Sequence, residues 1–401
     1  MRTNSLPLAA FTAAFATAQD LATALAGQES LSTLVKLLGQ VSNTTDFLAS
    51  QKGVTLFAPN DDAFAEIVQS GGIFSIDQAS ADPGLIEQIL RYHLFHGVVM
   101  ADDITTVPQF IPSYLNYSGI VLDGEVSGSN VTGGQVVSVN LDEGSNAIVT
   151  AGIKVTSQVT VADIEFDNGV IHIIDKLLLV PLSISETLIT GGFIALAGAA
   201  TQVDLFAPLE DLSDITIFVP NNDAFQKIQN AADITDKQLA EILQYHVVQG
   251  TVGYSTVLSN TNLSTLTGEK VDINIDDNGA VFVNTARVIN ADILIANGVI
   301  HVIDSVLNPA DPEAPPATSV TPVVPFTSGI EPETSIYSEL TQTTSFVAAG
   351  LVTAAPTATT SPSNGTITAN SGVAEQTGNA GVRNKLPALA VLIVGAVAFA
   401  L

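Results

Sequence analysis

The sequence predicts an α+β protein built as two tandem copies of one unit. Three observations carry this: an ordered set of motifs that occurs twice, a mixture of strand and helix periodicity inside each copy, and a change of composition where the second copy ends. Residues 55–64 (TLFAPNDDAF) return as 216–225 (TIFVPNNDAF), residues 89–93 (ILRYH) return as 242–246 (ILQYH), and residues 168–175 (NGVIHIID) return as 297–304 (NGVIHVID). The offset falls from 161 to 153 to 129 along these blocks, so the first copy carries two loop-sized insertions. One is expected around Gly71–Pro83 and the other within Pro108–Gly134, a stretch rich in Pro, Gly, Asn and Ser. The copies then span 19–180 and 181–309.

Taken in order, Leu56-Phe57-Ala58 and Ile217-Phe218-Val219 are short apolar runs stopped by Pro-Asn, which predicts a strand entering a turn. Asn60 or Asp61, and Asn221 or Asn222, are the candidate caps of the helix that follows. Ala63, Phe64 and Ile67, like Ala224, Phe225 and Ile228, have the spacing of that helix. Ile86, Ile89 and Leu90 precede His93 by seven, four and three positions, and Leu239, Ile242 and Leu243 precede His246 in the same way. Each histidine therefore shares an apolar helical stripe and is expected to be buried and structural. Tyr92 and Tyr245, about 100° away around the helix, are expected to be the exposed half of the motif. Residues 136–139, 148–155, 271–275 and 281–283 are β-branched segments between Gly, Asn and Asp turns, so the second half of each copy should be mainly sheet.

Composition narrows the function. A chain of 401 residues that is 46% hydrophobic and 13% charged can bury two sizeable cores. Twelve Lys and Arg against 40 Asp and Glu give a net charge of -28, which repels nucleic acid and acidic lipid headgroups. With no cysteine, disulfides, thiolate metal sites and cysteine nucleophiles are excluded.

Both ends read as processing signals. Residues 1–18 carry Arg2, an Ala/Leu/Phe-rich run and the small-x-small pattern Ala16-Thr17-Ala18, as in a secretory signal peptide. Residues 386–401 are uncharged and end the chain, short of the ~20 apolar residues of a membrane span. With the small residues near 378–381 they match a signal for glycosylphosphatidylinositol (GPI) attachment, placed first at Asn379. Asn370 and Ser371 are alternatives, because the spacer after Asn379 is short. Residues 380–401 would then be a propeptide, and the Ser/Thr/Pro-rich residues 310–379 a disordered stalk. Sequons at Asn43, Asn116, Asn130, Asn262 and Asn364 are N-glycosylation acceptors in a secreted chain.

The three repeated blocks closely resemble the fasciclin (FAS1) domain family: its opening signature at 55–64 and 216–225, its Tyr-His motif, and its closing signature at 169–175 and 298–304. The resemblance covers roughly 19–309. It implies that each copy is a β-sandwich or wedge flanked by helices, and that the protein works in adhesion at a cell surface, matrix or wall, the stalk and anchor signal resembling fungal wall-associated members most. In animal members the Tyr-His region is tied to adhesion, which points at Tyr92, His93, Tyr245 and His246. The implied partners are surface, wall or matrix proteins or polysaccharides, with weak self-association, and a membrane only through the GPI lipid.

An enzyme reading finds little support. His172 and Asp175, like His301 and Asp304, lie three apart in strand-like runs, which sends them to opposite faces. No nucleophile elbow, phosphate loop or His-Glu-x-x-His occurs, so no catalytic residue, cofactor or metal site is expected. Wall-polysaccharide binding is the alternative to adhesion, although the absence of Trp and only 6 Tyr leave little for an aromatic sugar platform.

Overall fold

A computed structural model of the chain describes residues 19–69, 83–115, 121–122, 125–126, 130–229 and 234–310. The residues expected to form a leader, a stalk beyond 310 and an anchor signal, most of the expected first insertion, and Asn116, Asn364 and Asn379 lie outside these residues. In the first domain helices α1 (Leu21–Ala26), α2 (Ser32–Leu38) and α3 (Ser42–Ser50) precede strand β1 (Val54–Pro59). Helices α4 (Asp61–Gln69) and α5 (Pro83–Tyr92) follow, then β2 (Leu94–His96), β3 (Gln109–Pro112), a small hairpin of β4 (Val121–Leu122) and β5 (Glu125–Val126), and β6 (Val136–Leu141), β7 (Ala147–Thr150), β8 (Thr156–Phe166) and β9 (Gly169–Ile174). The second domain repeats the plan with α6 (Ile184–Thr190), α7 (Ile194–Gln202), α8 (Phe206–Glu210), β10 (Ile215–Pro220), α9 (Asn222–Gln229), α10 (Asp236–Tyr245), β11 (Val247–Val248), β12 (Thr261–Ser264), β13 (Lys270–Ile275), β14 (Val281–Val283), β15 (Ala286–Ile295) and β16 (Gly298–Ile303).

Each domain holds one seven-stranded sheet, in the order β2-β1-β9-β8-β7-β6-β3 and β11-β10-β16-β15-β14-β13-β12. The long strand β8 changes partners: Thr156–Gln158 pair with β7, and Val159–Phe166 pair with β9 across two register shifts. The sheet thereby bends into two leaves, the expected wedge. It curls far enough for Phe95 to bridge Ser113, and Val248 to bridge Thr265.

Strand β10 is buried along its whole length because both of its faces are covered. Ile217 and Val219 join the core under the helices, whereas Phe218 joins a second core between the leaves, with Tyr245, Val271, Ile273 and Ile303. Side chains alternate across a strand, so one six-residue run supplies both cores.

The opening and closing signatures are neighbours in space. Strand β1 pairs in parallel with β9, Val54 opposite Gly169 through Pro59 opposite Ile174, and β10 pairs with β16 from Ile215 opposite Gly298 to Pro220 opposite Ile303. A β-carbon at Gly169 would overlap the Val54 carbonyl oxygen, and one at Gly298 would overlap that of Ile215. The asparagine just before each glycine ties this corner to the preceding helix: Asn168 Nδ2 donates to Ala49 O at 2.6 Å, and Asn297 Nδ2 to Leu209 O at 2.8 Å.

The caps are now assigned. Asn60 Oδ1 accepts from Ala63 N and Asn221 Oδ1 from Ala224 N, both at 2.8 Å, so these residues cap α4 and α9. The next residue serves a different helix. Asp61 accepts from Thr33 N and Ser32 Oγ at the start of α2, and Asn222 accepts from Ala195 N at the start of α7.

The second insertion is divided, which differs from the single site expected. The β3–β6 connection runs from 113 to 135, against 265–269 between β12 and β13. The remainder forms a short 3-10 turn, Gly152–Lys154, between β7 and β8. Both additions face the second domain. Asn130 N donates to Ala296 O at 2.9 Å, Gln135 Nε2 donates to Ile295 O at 2.8 Å, and Thr132 N donates to Asp214 Oδ1 at 2.7 Å. The 3-10 turn packs on β15. Nearby, Phe110 stacks on Tyr254 with ring centroids 4.3 Å apart, beside Val136, Leu294 and Val299.

Gly298→Ala should cost the protein at least ~2 kcal/mol, because the overlap is with backbone of a paired strand and has no side chain to yield. Chemical denaturation of the variant should show the loss, and Gly268→Ala, in an exposed turn, supplies a comparison limited to its positive φ of 86°.

Candidate functional site

The Tyr-His motif ends α5 and α10. All four side chains are buried: Tyr92 and Tyr245 are 0% exposed, His93 1% and His246 2%. Burial of the histidines agrees with the stripe on which they lie. The expected exposure of the tyrosines is corrected, because the sheet leaf closes over the helix face that an isolated amphipathic helix would leave in water. Tyr92 Oη donates to Val136 O at 2.9 Å, and Tyr245 Oη donates to Lys270 O at 2.8 Å while accepting from Asn284 Nδ2 at 3.1 Å.

Each histidine latches the segment that leaves its domain. Leu178 N donates to His93 Nε2 at 3.0 Å, and Leu307 N donates to His246 Nε2 at 2.9 Å. A backbone N–H can only donate, so Nε2 is the acceptor and the proton resides on Nδ1. Nδ1 then donates to Ile89 O at 2.7 Å and to Ile242 O at 2.8 Å, one turn back along the helix. Both ring nitrogens are spent. Burial holds each imidazole neutral and lowers its pKa from 6.5 to about 4, although the bond to the helix carbonyl acts the other way.

The second histidine pair has the opposite tautomer. Asp163 N donates to His172 Nδ1 at 3.2 Å, and Asp292 N donates to His301 Nδ1 at 3.4 Å, so Nε2 carries the proton. That proton goes to Val99 O and Gly253 O, each at 2.7 Å. Asp163 and Asp292 sit at φ of 58° and 60° in the register shifts of β8 and β15, so each histidine pins a bulge to the loop crossing it. Burial lowers the pKa of both rings. The same loop is held by Thr55 Oγ1, which donates to Gly97 O and accepts from Val99 N, and by Thr216 Oγ1 on Thr251 O and Gly253 N. Asp175 and Asp304 do not meet these histidines. Their Oδ1 atoms accept from Gln158 N at 2.7 Å and Arg287 N at 2.9 Å, locking the start of the long strand.

Among the described residues no group of three His, Asp or Glu side chains could hold a metal. A partly exposed cluster in the first domain was not visible in the repeat. His96 stacks on Tyr114 at 3.8 Å, Phe47 meets Tyr114 edge-on at 5.6 Å, and the Arg91 guanidinium lies 4.1 Å above Phe47 while pairing with Glu87 at 2.7 Å. These side chains come from α3, α5, β2 and the inserted connection, and only folding brings them together. Of the sequons, Asn43 lies in α3, Asn130 is half-buried at the domain junction, and Asn262 is exposed on β12.

Two wedge-shaped α+β domains whose recurring polar residues hold strand to helix and loop define a class of tandem scaffold domains. The chain belongs to the fasciclin domain family, whose profile matches residues 29–181 and 191–309. It is similar to a fasciclin-like arabinogalactan protein of Arthroderma benhamiae, 34% identical over 76% of this chain and 73% of that one. A fasciclin-like arabinogalactan protein of Cercospora beticola is 33% identical over 73% of this chain and 77% of that one. A solved FAS1 domain pair from the insect cell adhesion molecule Fasciclin I matches 71% of this chain and 98% of its own, at 21% identity and a TM-score of 0.33. The family and its fasciclin-like relatives support a cell-surface, adhesion-type role.

The histidine latches set a pH dependence. An unfolded histidine takes up a proton near 6.5, whereas the folded ring resists until about 4. Stabilisation is therefore complete above about 6.5 and is lost as the pH falls towards 4, by up to about 3 kcal/mol for each ring. Urea titrations from pH 7 to pH 4 should show this decline. His246→Ala should cost about 1–3 kcal/mol at pH 7, through the orphaned Leu307 N–H, and should flatten the second domain's pH profile.

Proposed function

We propose that the protein is secreted, held at the cell surface by a GPI lipid attached at Asn379, and works in adhesion as a binding scaffold with no catalytic step. One observation carries this reading: the polar residues of the repeated blocks that are buried or sit at the strand corners are engaged in hydrogen bonds that hold their own domain together. Thr55, Asn60, His93, Asn168, His172 and Asp175 all have such partners, which leaves none of them free for proton transfer or nucleophilic attack. Binding then belongs to non-recurring surface. In this reading Tyr92, His93, Tyr245 and His246 affect adhesion by maintaining the fold, and a protein or polysaccharide partner meets residues outside the motif. The signals at the two ends supply the secretion and anchoring halves of the proposal.

Wall-polysaccharide binding is a second reading, favoured by the half-exposed Tyr114 with His96 stacked on it. Aromatic faces with hydrogen-bonding neighbours suit sugar rings. Cells expressing the protein should release it on treatment with phosphatidylinositol-specific phospholipase C. The released protein, coated on a surface, should retain cells at least several-fold better than an uncoated control. Retention on insoluble glucan or chitin instead, weakened by Tyr114→Ala, would favour the polysaccharide reading. Turnover of any substrate by the purified protein defeats the scaffold proposal.

A further inference from the structure

The two domains present the same sheet edge in different ways. Strand β3 ends the sheet of the first domain and β12 that of the second. Ser113 N donates to Gln135 O, and Thr265 N donates to Glu269 O, in the same antiparallel ladders that pair Phe110 with Ser138 and Asn262 with Asp272. Facing pairs in such a ladder alternate between bonded and non-bonded. Counting back from Ser113 and Thr265, the residues that turn N–H and C=O towards the open edge include Phe110 and Asn262. Ser113 and Thr265 are matching positions, since they bridge Phe95 and Val248, which themselves pair with the repeated Thr55 and Thr216. Phe110 and Asn262 are therefore the same position in the two domains.

At that position the first domain places a ring stacked on Tyr254 of the second domain. The second domain ends its sheet on β12, whose residues are mostly exposed. It places there an exposed asparagine, followed by Leu263 and Ser264, which completes a sequon. An open edge is a template for pairing with another copy. A bulky hydrophilic group on Asn262 would block that approach without disturbing a buried contact.

We infer that Asn262 carries an N-linked glycan, and that this glycan shields the β12 edge against strand pairing between copies. The inference rests on the secreted reading above. The modification joins the anomeric carbon of an oligosaccharide to Asn262 Nδ2. It breaks that carbon's bond to the diphosphate of a polyprenyl-diphosphate donor, which leaves with the electron pair, while the amide nitrogen gives up one proton.

The test expresses the full chain in a eukaryotic secretory host. Enzymatic deglycosylation in ¹⁸O water, followed by peptide mapping, should convert Asn262 to labelled Asp. Asn262→Gln and, separately, Ser264→Ala should each lose that glycan and move the apparent mass in light scattering from one copy towards two. A secreted product with Asn262 unmodified overturns the inference and leaves the extracellular reading intact. Intracellular retention defeats the extracellular reading, and an unmodified Asn262 in that material overturns both. Occupied Asn262 with both variants remaining single copies overturns the shielding role. Association in Asn262→Gln but not in Ser264→Ala also overturns it, because it assigns the effect to the side chain and not to the sugar.

Discussion

In each domain the strand that opens the fold lies in parallel against the strand that closes it, although more than a hundred residues separate β1 from β9. Closing so long a loop has an entropic cost, and the parallel ladder must offset it with contacts of high quality. The repeated residues gather around this seam for that reason. Gly169 and Gly298 let the backbones approach, Asn168 and Asn297 fasten the corner to a helix, and Thr55 and Thr216 bind the loop that crosses it. Phe57 and Phe218 lie over His172 and His301 on the adjoining strand.

The two buried histidines of each domain perform complementary tasks with opposite tautomers. One accepts from the departing chain and donates to its own helix; the other accepts from a strand bulge and donates to a loop. Only neutral imidazole offers one donor and one acceptor on a rigid ring, so a charged residue or an amide of other shape would leave one partner unmet. A recurring His in an apolar run can thus look like chemistry while serving architecture.

Asymmetry between the copies provides what repetition cannot. The residues added to the first domain make the junction with the second, through Asn130, Thr132, Gln135 and the turn at Gly152–Lys154. The pair is therefore joined by hydrogen bonds to backbone and an aromatic stack, and not by a bare linker.

The repeat, the α+β class, the pair of residues from which each helix cap is drawn, and the core face of His93 and His246 were legible in the sequence. These features depend on local periodicity and residue chemistry, which a linear reading captures. The burial of Tyr92 and Tyr245 was not legible, because helical period identifies one apolar face and cannot reveal that a second leaf of sheet covers the other. Nor could spacing locate the His96–Tyr114 stack or the place of Asn262 on an open edge, since each depends on pairing between strands distant in sequence. The sequence by itself determined which residues recur and that the chain divides in two. Tertiary structure alone decided which recurring residues touch, which additions form the junction, and which edge remains exposed, because those outcomes follow from long-range register and the bend in the sheet.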